Sequence, residues 1–78
     1  MEKIFEEMIE RWKSPVVART QIEIFTGGIM NEKYQANLDS AGKGPEGSFH
    51  SGRKVAYQVR PYVEWLSKRS EVIQRRNK

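Results

Sequence analysis

The chain has 78 residues, which is enough for one domain but not for two separate hydrophobic cores. It contains no cysteine and only one histidine, His50, which excludes disulfides and a zinc site built from cysteine and histidine. Hydrophobic residues make up 37% and charged residues 31% of the chain, a balance typical of a small folded domain. Its apolar stretches are too short for a membrane span or a signal peptide, so we expect a cytoplasmic protein.

The charge is divided unevenly along the chain. The net charge is +4, with five basic and seven acidic residues before position 40 and nine basic and three acidic residues from there on. Such an asymmetry is typical of a protein with a polyanionic partner, although a basic surface that only aids solubility fits the same count. The charge therefore favours a polyanion as partner of the C-terminal half.

Residues 2–13 predict an amphipathic helix. Its apolar residues recur at helical spacing and are Ile4, Phe5, Met8, Ile9 and Trp12. Ser14 and Pro15 end the helix, because proline restricts the residue before it and has no amide donor. Val16 and Val17 then run extended. The apolar stripe fits packing on the rest of the domain, dimerisation or binding of another protein, and the sequence does not separate these alternatives.

A second, short helix is predicted over residues 21–26. Thr20 and Glu23 fit a capping box, in which the threonine side chain accepts the amide of Glu23 and the glutamate reaches back to the amide of Thr20. Gly27 and Gly28 end the helix, because glycine adopts the left-handed C-terminal conformation at little cost. The residues expected to face the core are Ile22 and Phe25.

A third helix is predicted over residues 32–40, with Asn31 as its N-cap and its end at Ala41 and Gly42. Its expected inner stripe consists of Tyr34, Leu38 and Ala41. Its expected outward or flanking residues are Asn31, Lys33, Gln35, Ala36, Asn37 and Ser40. These outward side chains are small or form hydrogen bonds, and none is acidic. Such a composition is typical of a helix face that recognises another molecule.

The next segment is rich in glycine and predicts a hairpin. The simplest arrangement is two strands, residues 48–50 and 54–58, that turn near Ser51 and Gly52. Period-two alternation predicts that the buried face consists of Phe49, Val55 and Tyr57. The residues left near solvent are His50, Arg53, Lys54 and Gln58. The hairpin is therefore expected to project positive charge.

Arg60 and Pro61 begin the last helix, with the proline at the first helical position, where a missing amide costs nothing. The apolar residues of this helix are Tyr62, Val63, Trp65, Leu66, Val72 and Ile73. The chain thus divides into an N-terminal helix at residues 1–14, one domain at residues 15–70 and a basic tail at residues 71–78.

The order of helix, glycine turn, helix, basic hairpin and helix is that of a winged helix-turn-helix, a DNA-binding fold. A pair of helices with a glycine turn is common in small helical proteins, so the basic hairpin that follows it is the more informative element. The expected fold is α+β, a small winged helix-turn-helix with a two-stranded wing and an extra N-terminal amphipathic helix.

Four segments in this order carry a family signal: IEIFTGG at residues 22–28, GKGP at 42–45, GRKVAY at 52–57 and VEWL at 63–66. Together they make residues 19–69 resemble the excisionase group of MerR-like winged-helix proteins, which occur in phages and integrated elements. The resemblance implies that residues 31–40 read the major groove and that residues 48–56 contact the DNA backbone or the minor groove. It also implies a small protein that bends DNA, recruits an integrase or regulates transcription.

The candidate contacts to double-stranded DNA are Asn31, Lys33, Gln35, Asn37, Lys43, His50, Arg53 and Lys54. The amides of Gln35 and Asn37 match adenine, although they also fit a solvated helix surface, and the lysines around the helix suit phosphates. Arg53 at the hairpin tip suits a narrow minor groove, and the lysine beside it suits a phosphate. No nucleophile or metal-binding cluster surrounds His50, so we expect no catalysis, no metal and no cofactor.

The sequence therefore predicts a small, nucleoid-associated DNA-binding protein without enzymatic activity, either an excisionase or a transcription regulator. A phage-type integrase is an expected partner, and self-association on DNA fits the same interpretation. The alternative is an adaptor whose helices recruit an integrase, polymerase or terminase component with little direct DNA contact. Reversing the charges of Arg53 and Lys54 separates the two, because an adaptor would still bind its partner.

Overall fold

The computed structural model describes residues 1–71 and has the α+β composition expected from the sequence. The elements in chain order are α1 (Lys3–Arg11), β1 (Val16–Ala18), a 3-10 helix (Arg19–Gln21), α2 (Ile22–Phe25), α3 (Glu32–Ser40), β2 (Ser48–Ser51), β3 (Lys54–Gln58) and α4 (Val59–Lys68). The described residues thus form four α-helices and one three-stranded antiparallel sheet. None of these helices is long and apolar enough to cross a membrane.

The sheet contains the predicted hairpin and one further strand. β3 lies in the centre, with β2 on one side and β1 on the other. β1 pairs Val17 with Tyr57, and both side chains are completely buried. The sequence predicts an extended segment at Val16 and Val17, but the partner strand follows α3, so local patterning does not identify the pairing.

The register of β2 and β3 corrects the predicted buried face of the hairpin. Phe49 pairs with Ala56, whereas Ser48 pairs with Tyr57. Paired residues of antiparallel strands point to the same side of a sheet and successive residues to opposite sides, so Phe49 and Tyr57 lie on opposite faces. Tyr57 is buried and Val55 is half-buried, as predicted, but Phe49 is 43% exposed and its prediction is wrong. The turn sets the register, and a shift of one residue moves a side chain to the other face.

The hydrophobic core draws on the sheet and on every α-helix except α3. Its buried side chains are Phe5, Val17, Ile22, Phe25, Met30, Tyr57, Val59, Tyr62, Val63 and Leu66. α3 contributes only the partly buried Leu38. Edge-on contacts join Phe25 to Trp12 and to Tyr62, with ring centroids 5.1 and 5.9 Å apart. Such pairs add about 0.5–1.5 kcal/mol each beyond the burial of apolar area. The core positions predicted for α2 are confirmed.

α1 confirms the predicted N-terminal helix and shows how it is attached. Phe5 is buried in the core. The residues that pack against the core while partly exposed are Met8, Ile9 and Trp12. The Trp12 indole donates a hydrogen bond to the carbonyl of Val16, 2.9 Å away. Ile4 remains 54% exposed. α1 therefore packs on the rest of the chain through one stripe and leaves an isoleucine at the surface.

The start of α2 departs from the predicted capping box. The 3-10 helix runs directly into α2, so Thr20 lies inside a helical turn, and no side chain caps the α2 N-terminus. Thr26 at the other end has a structural role instead. Its hydroxyl donates to the carbonyl of Ile22 at 2.9 Å and accepts the amide of Met30 at 3.1 Å. This buried hydroxyl fixes the chain between α2 and α3.

The structure contains the features that the sequence predicts at both ends of the turn between α2 and α3. Gly27 and Gly28 have φ angles of +66° and +93°, in the left-handed region that glycine adopts without strain. The predicted N-cap of α3 is confirmed, because Asn31 Oδ1 accepts the amide of Tyr34 at 2.8 Å. The turn is thus defined by two glycines, a buried hydroxyl and a helix cap.

The inner stripe of α3 is polar. Gln35 is completely buried, whereas Tyr34 is 44% exposed and Ala41 is exposed as well, so the predicted orientation of these three side chains is wrong. The Tyr62 hydroxyl donates to Gln35 Oε1 at 2.7 Å, and Gln35 Nε2 donates to Asp39 Oδ1 at 3.2 Å. A buried amide is tolerated when both of its ends are bonded. Partners outside α3 therefore set the rotation of the helix.

α4 begins at Val59, so Pro61 is the third residue of the helix and not the first. This position still lies in the first turn, where a backbone amide has no acceptor within the helix. The Val59 amide donates to the carbonyl of Pro15 at 2.8 Å, which joins α4 to the chain before β1. The predicted core residues found buried are Tyr62, Val63 and Leu66. The predictions for Val72, Ile73 and the basic tail lie outside the described residues.

The Asp39 carboxylate joins α3 to the sheet. Its Oδ2 accepts hydrogen bonds from Arg19 Nη2 at 2.6 Å and from the Tyr57 hydroxyl at 2.5 Å, and its Oδ1 accepts the bond from Gln35. Arg19 Nε also donates to the Tyr57 hydroxyl at 2.9 Å. Gly44 leaves room for the carboxylate, because a Cβ at that position would overlap it. We call Arg19, Gln35, Asp39 and Tyr57 the Asp39 network.

Asp39→Ala should lower the free energy of unfolding by about 2–3 kcal/mol, because it leaves the half-buried Arg19 guanidinium and the buried Tyr57 side chain without their acceptor. Ser40→Ala, a change at an exposed position of the same helix, should alter it by less than about 0.5 kcal/mol. Urea denaturation of both variants and the original protein measures the difference. Equal losses in the two variants would show that the network does not stabilise the fold.

Burial, followed by the hydrogen bond to Asp39, raises the pKa of the Tyr57 hydroxyl from 10.0 to about 12, although Arg19 acts in the opposite direction. The folded protein therefore holds this proton more tightly than the unfolded chain. The resulting stability is complete below pH 10 and is lost as the pH rises through 12. We expect the free energy of unfolding to fall over this pH range, and to fall less in Tyr57→Phe. Urea denaturation across the range checks this, and an equal fall in both proteins would contradict it.

Candidate nucleic-acid interface

The outward face of α3 lies opposite its buried stripe. Side chains advance by about 100° per residue around an α-helix, which places three residues on the side opposite Gln35 and Asp39. We call these residues, Lys33, Asn37 and Ser40, the α3 outer stripe. All three are exposed. The stripe offers an ammonium group, an amide and a hydroxyl, and it contains no carboxylate.

The predicted contacts on α3 divide into exposed and buried ones. Lys33 and Asn37 belong to the outer stripe, and Asn31 is exposed at the start of the helix, where its Oδ1 bonds the Tyr34 amide. Gln35 has no exposed surface, and both ends of its amide are bonded inside the protein. The prediction that Gln35 faces outward and reads a base is therefore wrong.

The tip of the hairpin carries the exposed side chains of His50, Arg53 and Lys54. β2 ends at Ser51 and β3 begins at Lys54, and these residues pair, so Gly52 and Arg53 alone form the loop. Gly52 supports the tight turn with a φ angle of +64°. Within residues 1–71, neither Arg53 nor Lys54 forms a salt bridge. Their positive charge is directed into solvent.

The Asp39 network holds the hairpin and α3 together. Tyr57 lies in β3, the strand that also carries Lys54, and its hydroxyl donates to the Asp39 carboxylate in α3. Arg19 bonds to both groups from the 3-10 helix. Three elements therefore meet at one carboxylate. The α3 outer stripe and the hairpin tip therefore belong to elements that the Asp39 network joins.

Lys43 follows α3, and its backbone is bonded on both sides. Its amide donates to the carbonyl of Leu38 at 2.9 Å, and its carbonyl accepts the indole N–H of Trp65 at 2.9 Å. The preceding Gly42 has a φ angle of +74°, which lets the chain turn away from the helix. The Lys43 side chain is exposed. A second lysine is thus presented at the C-terminal end of α3.

The sequence interpretation missed a cluster made of Tyr34, Trp65 and Arg69, which we call the Arg69 cluster. The guanidinium carbon of Arg69 lies 5.0 Å from the centroid of the Trp65 ring and 5.9 Å from that of the Tyr34 ring. Arg69 Nη2 donates to the Tyr34 hydroxyl at 3.1 Å. The spacing of Trp65 and Arg69 on one helix is a local signal, since residues four apart are neighbours on a helix surface. The contact with Tyr34 joins α4 to α3 and leaves no local signal.

The shifted pKa values belong to the interior of the protein. Burial raises the pKa of the Tyr62 hydroxyl. Partial burial acts to lower the pKa of Arg19, but its hydrogen bonds to Tyr57 and Asp39 outweigh this effect and raise it. In the described part of the chain, no three His, Cys, Asp or Glu side chains form a group that could hold a metal ion. The exposed candidate residues on α3, at Lys43 and at the hairpin tip offer positive charge and hydrogen bonding.

The α3 outer stripe, Lys43 and the hairpin tip are all exposed, and each offers polar or positively charged groups. This chemistry suits an anionic partner whose recognition requires both electrostatic attraction and directional hydrogen bonds. No known family model, curated protein or solved structure matches the chain.

Proposed function

We propose that the protein binds a specific site on double-stranded DNA as a small winged helix-turn-helix protein. The observation that carries this proposal is the two-sided nature of α3. Gln35 and Asp39 bond one side of the helix to the rest of the fold, and the α3 outer stripe is exposed on the other side. α2 and α3 are the helix-turn-helix, and the β2–β3 hairpin is the wing. Binding of this kind needs no metal and no cofactor.

The dimensions of α3 support the proposal. An α-helix with its side chains is about 10–12 Å across, and the major groove of DNA is about 12 Å wide. In helix-turn-helix proteins the second helix enters this groove while the first crosses the backbone. The Thr26 hydroxyl and the two glycines after it hold α2 and the start of α3 in a fixed relation. The helix can therefore enter the groove as a rigid element.

The exposed side chains suggest separate roles on DNA. Asn37 is suited to reading a base, because an asparagine amide can bond both N6 and N7 of adenine. Lys33 and Lys43 suit phosphates, which add affinity without selecting a sequence. At the hairpin tip, Arg53 suits a narrow minor groove and Lys54 a phosphate. The remaining exposed candidates are Asn31 and His50.

The class of DNA-binding protein that fits best is an excisionase, a factor that sets the direction of recombination, or a small transcription regulator. The resemblance of residues 19–69 supports this class, and α2, α3, the hairpin and α4 follow one another in the order that it implies. A phage-type integrase is then the expected protein partner, and the nucleoid is the expected location. Self-association along DNA is consistent with the same role.

A different observation favours a second function, that of an adaptor that recruits an integrase, polymerase or terminase component. Ile4 of α1 and Ile24 of α2 are 54% and 77% exposed. With Met8 and the charged Glu7 and Arg11, they line a groove of about 430 Å³ between the two helices. Exposed apolar surface of this kind marks protein interfaces. In an adaptor, DNA contact would be secondary or absent.

Selection of bound sequences from random duplex DNA tests the proposed function. We expect a shared motif, and a strong dependence on salt when the best site is titrated at two salt concentrations. The double variant Arg53→Glu and Lys54→Glu should lose binding. The matched control, Lys3→Glu and Lys13→Glu, changes the net charge by the same amount at two exposed positions, one in α1 and one just after it. This control should keep DNA binding. No enrichment and no binding at low salt would contradict DNA binding and favour the adaptor.

Asn37→Ala and Arg53→Ala should weaken binding in different ways. Without the Asn37 amide, discrimination at one base pair should fall by about 1–3 kcal/mol, while binding to sites already mismatched there stays the same. Without Arg53, every duplex should bind more weakly, and the loss should be about the same for the best site and for its single-base variants. Fluorescence anisotropy with the best site and its single-base variants measures both effects. Equal losses on all sequences for Asn37→Ala would contradict its role in reading a base.

A further inference from the structure

We infer that the Arg69 cluster is a binding site for one backbone phosphate of duplex DNA at the flank of α3. The inference rests on the proposed function and adds a contact that the sequence interpretation did not assign. The binding group is the Arg69 guanidinium, and the ligand group is a phosphodiester oxygen. Tyr34 and Trp65 are positioning residues that hold the guanidinium in place.

The guanidinium is held before any ligand arrives. It lies 5.0 Å from the Trp65 ring centroid and 5.9 Å from the Tyr34 ring centroid, and it donates a hydrogen bond to the Tyr34 hydroxyl at 3.1 Å. Cations over aromatic faces are attracted by the ring quadrupole. A free arginine side chain loses much rotamer entropy when it binds an anion, and a restrained one loses less. The contacts therefore prepare the side chain for an anion.

The same guanidinium keeps most of its hydrogen-bonding capacity. An arginine carries five N–H donors, and the contact to Tyr34 uses one of its nitrogens. The side chain is exposed, and among residues 1–71 it makes no salt bridge with a carboxylate. Among residues 1–71, the Tyr34 hydroxyl is the one hydrogen-bond acceptor of the Arg69 side chain, so its other donors remain. These donors lie along the edge of the guanidinium plane. The edge is the part that matches the oxygens of a phosphate.

The position of the cluster beside α3 indicates that its ligand is a backbone phosphate. Tyr34 lies one helical turn before Asn37 and next to Lys33, so Arg69 borders the α3 outer stripe. Tyr34 and Asp39 project about 140° apart around the helix axis, and Asp39 connects to the hairpin strand. Arg69 and the hairpin therefore lie toward different flanks of α3. A helix in the major groove has a phosphate backbone on each side, so a cation at either flank meets a strand.

A purely structural alternative is that Arg69 only ties α4 to α3. The two roles differ in what they change. A tether affects the stability of the fold and leaves the number of displaced counterions unaltered. A phosphate contact affects the salt dependence of DNA binding, because each neutralised phosphate contributes about 0.9 to the slope of log K against log salt.

The experiment measures affinity for the selected duplex over a series of salt concentrations. Arg69→Ala should weaken binding to all duplexes by about tenfold at low salt. It should also make the slope of log K against log salt shallower by about 0.9. Arg69→Lys should keep the slope and bind with intermediate affinity, because it retains the charge but not the planar fork. Lys68→Ala, which removes the same charge from the neighbouring exposed residue, is the matched control and should keep the original slope.

Arg69→Gln covers the case in which Arg69→Ala fails to fold, since glutamine keeps a longer polar side chain at this exposed position while lacking the charge. It too should reduce the slope by about 0.9. Slopes and affinities equal to those of the original protein for the folded Arg69 variants would overturn the inference and leave the proposed function intact. Absence of duplex binding by the original protein at low salt would overturn both.

Discussion

The Asp39 carboxylate accepts hydrogen bonds from side chains of three different elements, the 3-10 helix, β3 and α3 itself. Arg19 and Tyr57 also bond to each other, so the group is closed. In a partly buried site such bonds are strong, and the loss of one member leaves the others with an uncompensated desolvation cost. The relative positions of α3 and the hairpin therefore depend on this one carboxylate.

α3 depends on such bonds because it contributes no side chain to the buried hydrophobic core beyond the partly buried Leu38. Apolar contact is nondirectional and would allow a short helix to rotate about its axis. The bonds from Tyr62 to Gln35 and from Arg19 to Asp39 are directional and fix that rotation. The direction of the outer stripe is thus a consequence of the polar interior.

Local signals predicted the parts of the fold that form within a few residues, such as the Asn31 cap, the glycine turn before it, the hairpin and α1. Gln35 was misassigned because its partner Tyr62 lies 27 residues further on, and an amide looks the same whether water or a buried hydroxyl satisfies it. Phe49 was misassigned because its face depends on register. Exposed basic residues of the site followed from charge and turn position, whereas the contact between Tyr34 and Arg69, 35 residues apart, required the packing of α4 on α3.

Under the proposed function, stability and recognition lie on different sides of the same helix. Gln35 and Asp39 carry the bonds that hold α3, whereas Lys33, Asn37 and Ser40 make no side-chain contact that the described fold requires. Substitutions at exposed positions without such contacts usually change stability little. In the proposed DNA-binding role, replacing Asn37 would therefore change which base the helix can bond without disturbing how the helix is held. The preferred site could then change at this exposed position while the Asp39 network behind it stays constant.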